Sequence, residues 1–244
     1  NHVPRMPHER FHGTSELGFR GDAIVQLDWC VGELVKHLRD NDLAENTMIV
    51  FCSDNGPVGD DGYADGALEK NGDHKAAGPF TGGKYSIYEG GTRTPFITWW
   101  PGTVKPAVSD EVVCTIDMAN SFVNYVGGSL PEEAFTDSID VMTALMGGGK
   151  GRESLVQQDN GRSNNNKRNL SYRKGKWKLL RHDRGSARNL VVNELLANTE
   201  VPQFQLIDLE KDPAEKNNVI ADHPELAEKM KAELEQIIQS GRSR

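Results

Sequence analysis

The spacing of apolar positions changes several times along the chain, and each change marks an element. From Leu17 to Asp40 the period is helical: Ile24, Leu27, Val31, Leu34, Val35 and Leu38 share one stripe, and Asn41-Asp42 ends it. Thr47 to Cys52 is a β-branched and aromatic run without polar alternation, which predicts a buried strand. Pro95 to Trp100 predicts a second strand, stopped by Pro101-Gly102. Between the two lies Gly56 to Gly83, a stretch rich in Gly and Asp whose length is uncommon for a loop unless it is functional or disordered. Asp117 to Val126 predicts a short helix with Asp117 as its N-cap.

The character shifts after Gly147-Gly148-Gly149. Residues 147–168, which include Asn164-Asn165-Asn166, carry no core pattern and predict a linker or loop. Beyond it, Asn169 to Arg173 and Lys176 to Arg181 flank the turn pair Lys174-Gly175, a hairpin pattern. Phe204 to Leu209 predicts a further strand. A last helix starts near Asp222-His223-Pro224, with Pro at its first position and Leu226, Met230, Leu234, Ile237 and Ile238 on its apolar face. The expected organisation is an α/β body over residues 1–146, a linker over 147–168, and a small subdomain of antiparallel sheet plus helix over 169–244.

Composition narrows the function classes. Hydrophobic residues make up 36% of the 244, and the net charge is −8, the wrong sign for a chain whose main partner is nucleic acid. A few local cations still suffice to bind a small anion. No apolar run reaches membrane-spanning length. Cys30, Cys52 and Cys114 are odd in number and far apart, so they predict buried apolar positions rather than disulfides or a zinc site. The chain opens at Asn1 without a Met, which reads as a piece of a longer protein.

Two segments carry candidate chemistry. Ser53-Asp54-Asn55-Gly56 directly follows the first strand, and ligands of α/β sheets collect at strand carboxyl ends. A carboxylate and an amide oxygen suit a hard cation, Ca²⁺ ahead of Mg²⁺, although two ligands cannot fill a calcium shell. As an isolated tripeptide, Asp-Asn-Gly is simply a turn. The second segment, Gly82-Gly83-Lys84, puts a compact ammonium charge in a loop whose glycines allow close backbone approach, which suits a sulfate or phosphate oxygen. Glu89-Gly90-Gly91 with Arg93 predicts a tight bend held by an ion pair. His2 can donate to an anion or protonate a leaving oxygen, and His74 lies in the long loop within possible reach of substrate.

Taken in order, these segments resemble the type I, arylsulfatase-like sulfatases of the alkaline-phosphatase-like superfamily. His2-Val3-Pro4 is similar to the family's His-x-Pro segment, and Asn46 through Gly56 to the strand that delivers a calcium-binding Asp and Asn. Lys84 through Pro95 resembles the family's Lys-x-x-x-Tyr-Glu-Gly-Gly-x-Arg-x-Pro segment. Gly21-Asp22-Ala23 through Gly32 is similar to the helix before the metal strand. Lys174 through Leu179 and Leu206 through Pro213 are similar to the C-terminal subdomain.

The resemblance implies an alkaline-phosphatase-like mixed sheet flanked by helices, present in part. It implies hydrolysis of aryl or carbohydrate sulfates, with Asp54 and Asn55 on calcium, Lys84 and His2 catalytic and substrate-binding, and His74 near the substrate. It also implies a periplasmic or secreted location. The family's nucleophile is a formylglycine made from Cys or Ser in Cys/Ser-x-Pro/Ala-x-Arg, and no Cys or Ser of this chain stands in that pattern. The nucleophile and an Asp-Asp metal pair are therefore expected in an N-terminal half that completes the site, and this chain alone is expected to be inactive. The competing readings are a phosphodiesterase or phosphonate hydrolase of the same superfamily, and a non-catalytic fragment.

Overall fold

The computed structural model describes residues 2, 4–59, 62–63, 65–131, 133–159, 168–183 and 200–243. Asn164-Asn165-Asn166 lies outside them. The long helix α1 spans Gly18–Asp40, β1 Ile49–Cys52, the single turn α2 Glu89–Thr92, β2 Phe96–Trp99, α3 Met118–Tyr125 and α4 Met142–Leu145. Then come β3 Ser154–Gln158, β4 Asn169–Lys174, β5 Trp177–His182, β6 Phe204–Asp208 and the final helix α5 Pro224–Ser240.

The strands form two antiparallel sheets, β1-β2 and β3-β4-β5-β6. Strand β1 is half-buried along its length rather than buried, because β2 is its one hydrogen-bonded neighbour here. The hairpin β4-β5 turns at Gly175-Lys176, one residue later than the sequence suggested, with Gly175 at φ 56°. Ser154–Gln158, inside the stretch expected to be a linker, pairs in full register with Gln158↔Leu170 through Ser154↔Lys174. A run of Ser, Leu, Val and two Gln has no strong β pattern of its own; a neighbouring strand supplies the order.

Sheet alternation divides the core of the second half. Leu179, Leu206 and Tyr172 face α5 and pack on Ala227, Met230 and Leu234. Leu180 and Ile207 point the other way, onto Ile87 and Tyr88. That second layer joins the C-terminal sheet to the segment just after Lys84. A third cluster, Val141, Met142, Ala144 and Leu145, takes in Met48, Phe96 and Trp100 from around β1-β2. On α5, Ile238 lies outside the packed face and is 42% exposed.

Helix α1 departs from expectation. An apolar stripe ordinarily faces a core, yet on this one Leu34 is 62% exposed and Ile24 and Leu27 are also exposed. Among the described elements it touches little beyond the turns at Glu9–Phe11 and Ala44–Asn46. Cys30, on the same helix, is exposed rather than buried, while Cys52 and Cys114 are half-buried and all three are free thiols. No helix among the described residues is long and apolar enough to cross a membrane.

The N-terminal turn of α1 is anchored by Asp22. Its carboxylate accepts from the backbone N–H of Gly13 and Ser15, both at 2.9 Å, and from the Thr14 hydroxyl. Burial works to raise this carboxyl, but those backbone N–H groups outweigh it and hold it below its ordinary value. A depressed carboxylate contributes stability above its unfolded pKa of about 3.9, and that stability is lost as pH falls through the folded value. Unfolding free energy measured from pH 6 down to pH 3 should therefore fall less steeply in Asp22→Asn than in the native chain. Parallel curves would contradict this account.

Asp117 was expected to cap α3. Instead its carboxylate is fully buried, accepts from the N–H of Cys114 and Ile139, and pairs with Arg152 at 2.7 Å. A short polar residue ahead of a helix serves equally well as a tertiary tie when an arginine reaches it.

Candidate functional site

The site is built on glycines. Chain leaving β1 passes through Asp54 and Asn55 to Gly56, whose N–H donates to Gly91 O at 2.9 Å. A Cβ on Gly56 would lie 1.9 Å from Gly90 O, and one on Gly91 would lie 2.3 Å from Gly83 O. Three backbone segments are thus in direct contact: the end of β1, the loop carrying Lys84, and the turn α2. Gly56→Ala should force them apart, at a cost of about 1–3 kcal/mol or more. Urea denaturation reads this as a lowered midpoint; an unchanged midpoint would show that the loops yield freely.

Lys84 is fixed through its backbone. Its N–H donates to Pro57 O at 2.9 Å, three residues past Asp54. It opens a tight turn from Gly83 to Ser86, closed by Ser86 N–H to Gly83 O and by the Ser86 hydroxyl. Tyr85, the next turn residue, sits at φ 75°, a left-handed conformation costly for a bulky side chain. Strain of this kind persists only where the surroundings impose it, and it clusters at binding sites.

The Lys84 Nζ lies 3.0 Å from His2 Nε2, across 82 residues of sequence. That is hydrogen-bonding distance, so the ammonium and the imidazole address the same point in space. The segment carrying His2 is tied down by buried Arg5. Its guanidinium donates to Asp65 Oδ2 at 2.8 Å, to Val58 O at 2.9 Å and to Gly59 O at 3.2 Å. The N-terminal segment and the long loop are therefore one unit around Lys84.

Asp54 is exposed at the end of β1, and Asn55 beside it is half-buried. The Asn55 amide Nδ2 donates to Gly56 O at 2.9 Å. A carboxylate and an amide oxygen are donors of the kind a hard cation takes. Among the described residues no three His, Cys, Asp or Glu side chains gather into a metal-binding group. His74 is exposed, in a turn where its backbone N–H donates to Asn71 O and its carbonyl accepts from the Asn71 amide.

The bend at Glu89 is held differently from the sequence reading. Arg93 approaches Glu89 Oε2 at only 3.8 Å and is half-exposed. The main partner is Lys178 of β5, fully buried, with Nζ 2.8 Å from Glu89 Oε1 and 2.8 Å from Glu215 Oε1. Glu215 Oε2 also accepts from the Glu89 backbone N–H. Burial works to raise the Glu89 carboxyl, but Lys178, helped by Arg173 and Arg93, holds it below its ordinary value. For Glu215 burial prevails over Lys178 and pushes the carboxyl up. Local sequence gives no sign of this triad, since its members are separated by 89 and 37 residues. A lysine on the inward face of a strand, between Trp177 and Leu179, was the one available clue.

The sequence matches the family model described as Sulfatase over residues 2–128, and that of the N-sulphoglucosamine sulphohydrolase C-terminal region over 81–240. It is 43% identical over 237 residues to an N-acetylgalactosamine-6-O-sulfatase of Bacteroides thetaiotaomicron, covering 97% of this chain and 45% of that protein. It is 30% identical over 231 residues to human arylsulfatase A, covering 90% of this chain and 42% of that one. A solved structure described under the metabolism of multiple glycosaminoglycans by Bacteroides thetaiotaomicron superposes with a TM-score of 0.84 at 42% identity, covering 97% of this chain and 48% of that one. The chain therefore spans about half the length of the relatives it matches. The shared fold is the alkaline-phosphatase-like α/β class, with the four-stranded sheet and α5 as its small C-terminal unit. Matching segments, shared order and shared fold agree: the chain belongs to the sulfatase family and represents a C-terminal region of it.

Proposed function

We propose that the whole protein hydrolyses sulfate esters and that this chain supplies the anion-holding side of its active site. The observation that carries the reading is the 3.0 Å approach of Lys84 Nζ to His2 Nε2, in a loop bonded to the chain leaving Asp54 and Asn55. Lys84 holds a sulfate oxygen; its charge is compact and its loop is rigid. His2 donates to the ester's leaving oxygen as negative charge builds there. Asp54 and Asn55 would hold a Ca²⁺ ion, which would supply Lewis-acid stabilisation of negative charge on the sulfate. His74 lies at the substrate's outer edge. A body over 1–146 and a subdomain over 169–244 are the units of this reading.

The nucleophile, read by family resemblance as a formylglycine, comes from further chain, as do the remaining metal ligands. The exposed stripe of Ile24, Leu27 and Leu34 on α1, and Ile97 on β2 at 57% exposure, support a covering partner of that kind. Family resemblance also supports a periplasmic or secreted location. The relative named for N-acetylgalactosamine 6-O-sulfate makes a 6-sulfated N-acetylhexosamine the first substrate to try.

The test is a comparison of matched aryl sulfate and aryl phosphate esters with the full-length protein, before and after chelation of calcium. Sulfate turnover that exceeds phosphate turnover and falls on chelation is expected. Preferred phosphate turnover would favour the phosphodiesterase or phosphonate hydrolase reading, which Asn55 disfavours because its oxygen suits calcium better than the borderline metals.

A further inference from the structure

We propose that Ala214 and Glu215, with Lys178, are positioning residues for Lys84: the C-terminal subdomain grips both ends of the loop that presents it. This rests on the role given to Lys84 above.

The grip is visible in three contacts. The Thr81 hydroxyl donates to Ala214 O, at the start of the loop. The Glu89 N–H donates to Glu215 Oε2, at its end. Lys178 Nζ, itself fully buried, sits 2.8 Å from a carboxylate oxygen of each glutamate. Two consecutive residues therefore hold positions eight apart, and the chain between them contains Gly82, Gly83 and Lys84. The loop also closes on itself, since Gly90 N–H donates to Thr81 O at 2.8 Å.

Glu215 is built for this at a conformational cost. Its φ is 55°, in the left-handed region that glycine tolerates better than glutamate does. It follows Asp212-Pro213-Ala214 in a turn closed by its own N–H to Asp212 O at 3.1 Å. The turn thereby puts a carboxylate beneath the Glu89 amide. Its side chain is completely buried beside Lys178. Packing of Leu180, Ile207 and Leu209 on Ile87 and Tyr88 keeps the two surfaces in register around these polar contacts.

The experiment is hydrogen–deuterium exchange on the full-length protein, with sulfate ester kinetics run in parallel on native, Glu215→Ala, Glu215→Gln and Thr81→Val proteins. Glu215→Ala removes the acceptor and should speed exchange of amides 82–91 about tenfold or more, while the β4-β5 ladder keeps its protection. Glu215→Gln retains an oxygen for the Glu89 N–H and should change exchange there less than Glu215→Ala does. In kinetics, kcat/KM should fall in the order of the loosening. Thr81→Val, which loses a single contact and leaves the core intact, should loosen the same amides by a smaller factor and serves if the glutamate variants fail to fold. Unchanged exchange at 82–91 in the folded variants, or faster exchange spread evenly over the molecule, overturns the proposal. A native protein that turns over no sulfate ester would overturn the proposed function instead, leaving exchange to judge the grip.

Discussion

Lys84→Ala in the full-length protein is expected to lower kcat/KM for a sulfate ester by about 10²–10³-fold, the usual loss when one preorganised donor to a developing oxyanion is removed. The Lys84 side chain is half-buried, and its loop is fixed by the backbone bond from Lys84 N–H to Pro57 O and by the Gly83–Ser86 turn. Those bonds survive the substitution, so the melting temperature should hardly move. Lys84→Arg should restore little, because a planar fork on a longer stem cannot place its charge where the ammonium stood. A variant with native kcat/KM would remove Lys84 from the chemistry. One with a much lower melting temperature would make its role structural.

The second large effect concerns stability. Lys178→Met leaves Glu89 and Glu215 facing one another in a buried site, where among the described residues Arg93 at 3.8 Å and Arg173 at 4.0 Å are the cations near the former. Stranding buried charge in this way costs about 3–5 kcal/mol. Adding Glu89→Gln and Glu215→Gln to Lys178→Met removes the stranded charges and should recover much of the loss. Chemical denaturation of the single and triple variants measures both steps. A single variant within about 1 kcal/mol of native, or a triple variant no better than the single, would mean that the three charges are not coupled as the geometry indicates.

Much of the fold is legible in the sequence where local pattern and tertiary environment agree. The hairpin β4-β5 follows from its turn chemistry, and α5 from Pro224 at its first position and the stripe through Met230 and Leu234. The extent of α1 follows from its period, but its burial does not. A helical stripe records a face made to be covered, and nothing described here covers Ile24, Leu27 and Leu34. Strand β3 was missed because Ser154–Gln158 lacks a β pattern and is ordered by β4.

The candidate site divides along the same line. Asp54, Asn55 and Lys84 are marked by short segments with their own glycines, and so are visible locally. The contact of His2 with Lys84 spans 82 residues. The ties that hold the site, Arg5 on Asp65 and Lys178 on Glu89 and Glu215, are ion pairs whose partners lie far apart in sequence. Long-range charge pairing leaves no periodic trace. The Arg93–Glu89 pair, four residues apart, is the one ion pair of this bend that local sequence suggests, and it is present at 3.8 Å beside the long-range pairing with Lys178.

A crystal structure of the full-length protein with inorganic sulfate and calcium tests the central claim most directly. The account predicts one pocket in which Lys84 Nζ and the His2 ring hydrogen-bond a tetrahedral anion, beside a cation held by oxygens of Asp54 and Asn55. Sulfate bound elsewhere, with Lys84 turned away from the cation, would contradict it.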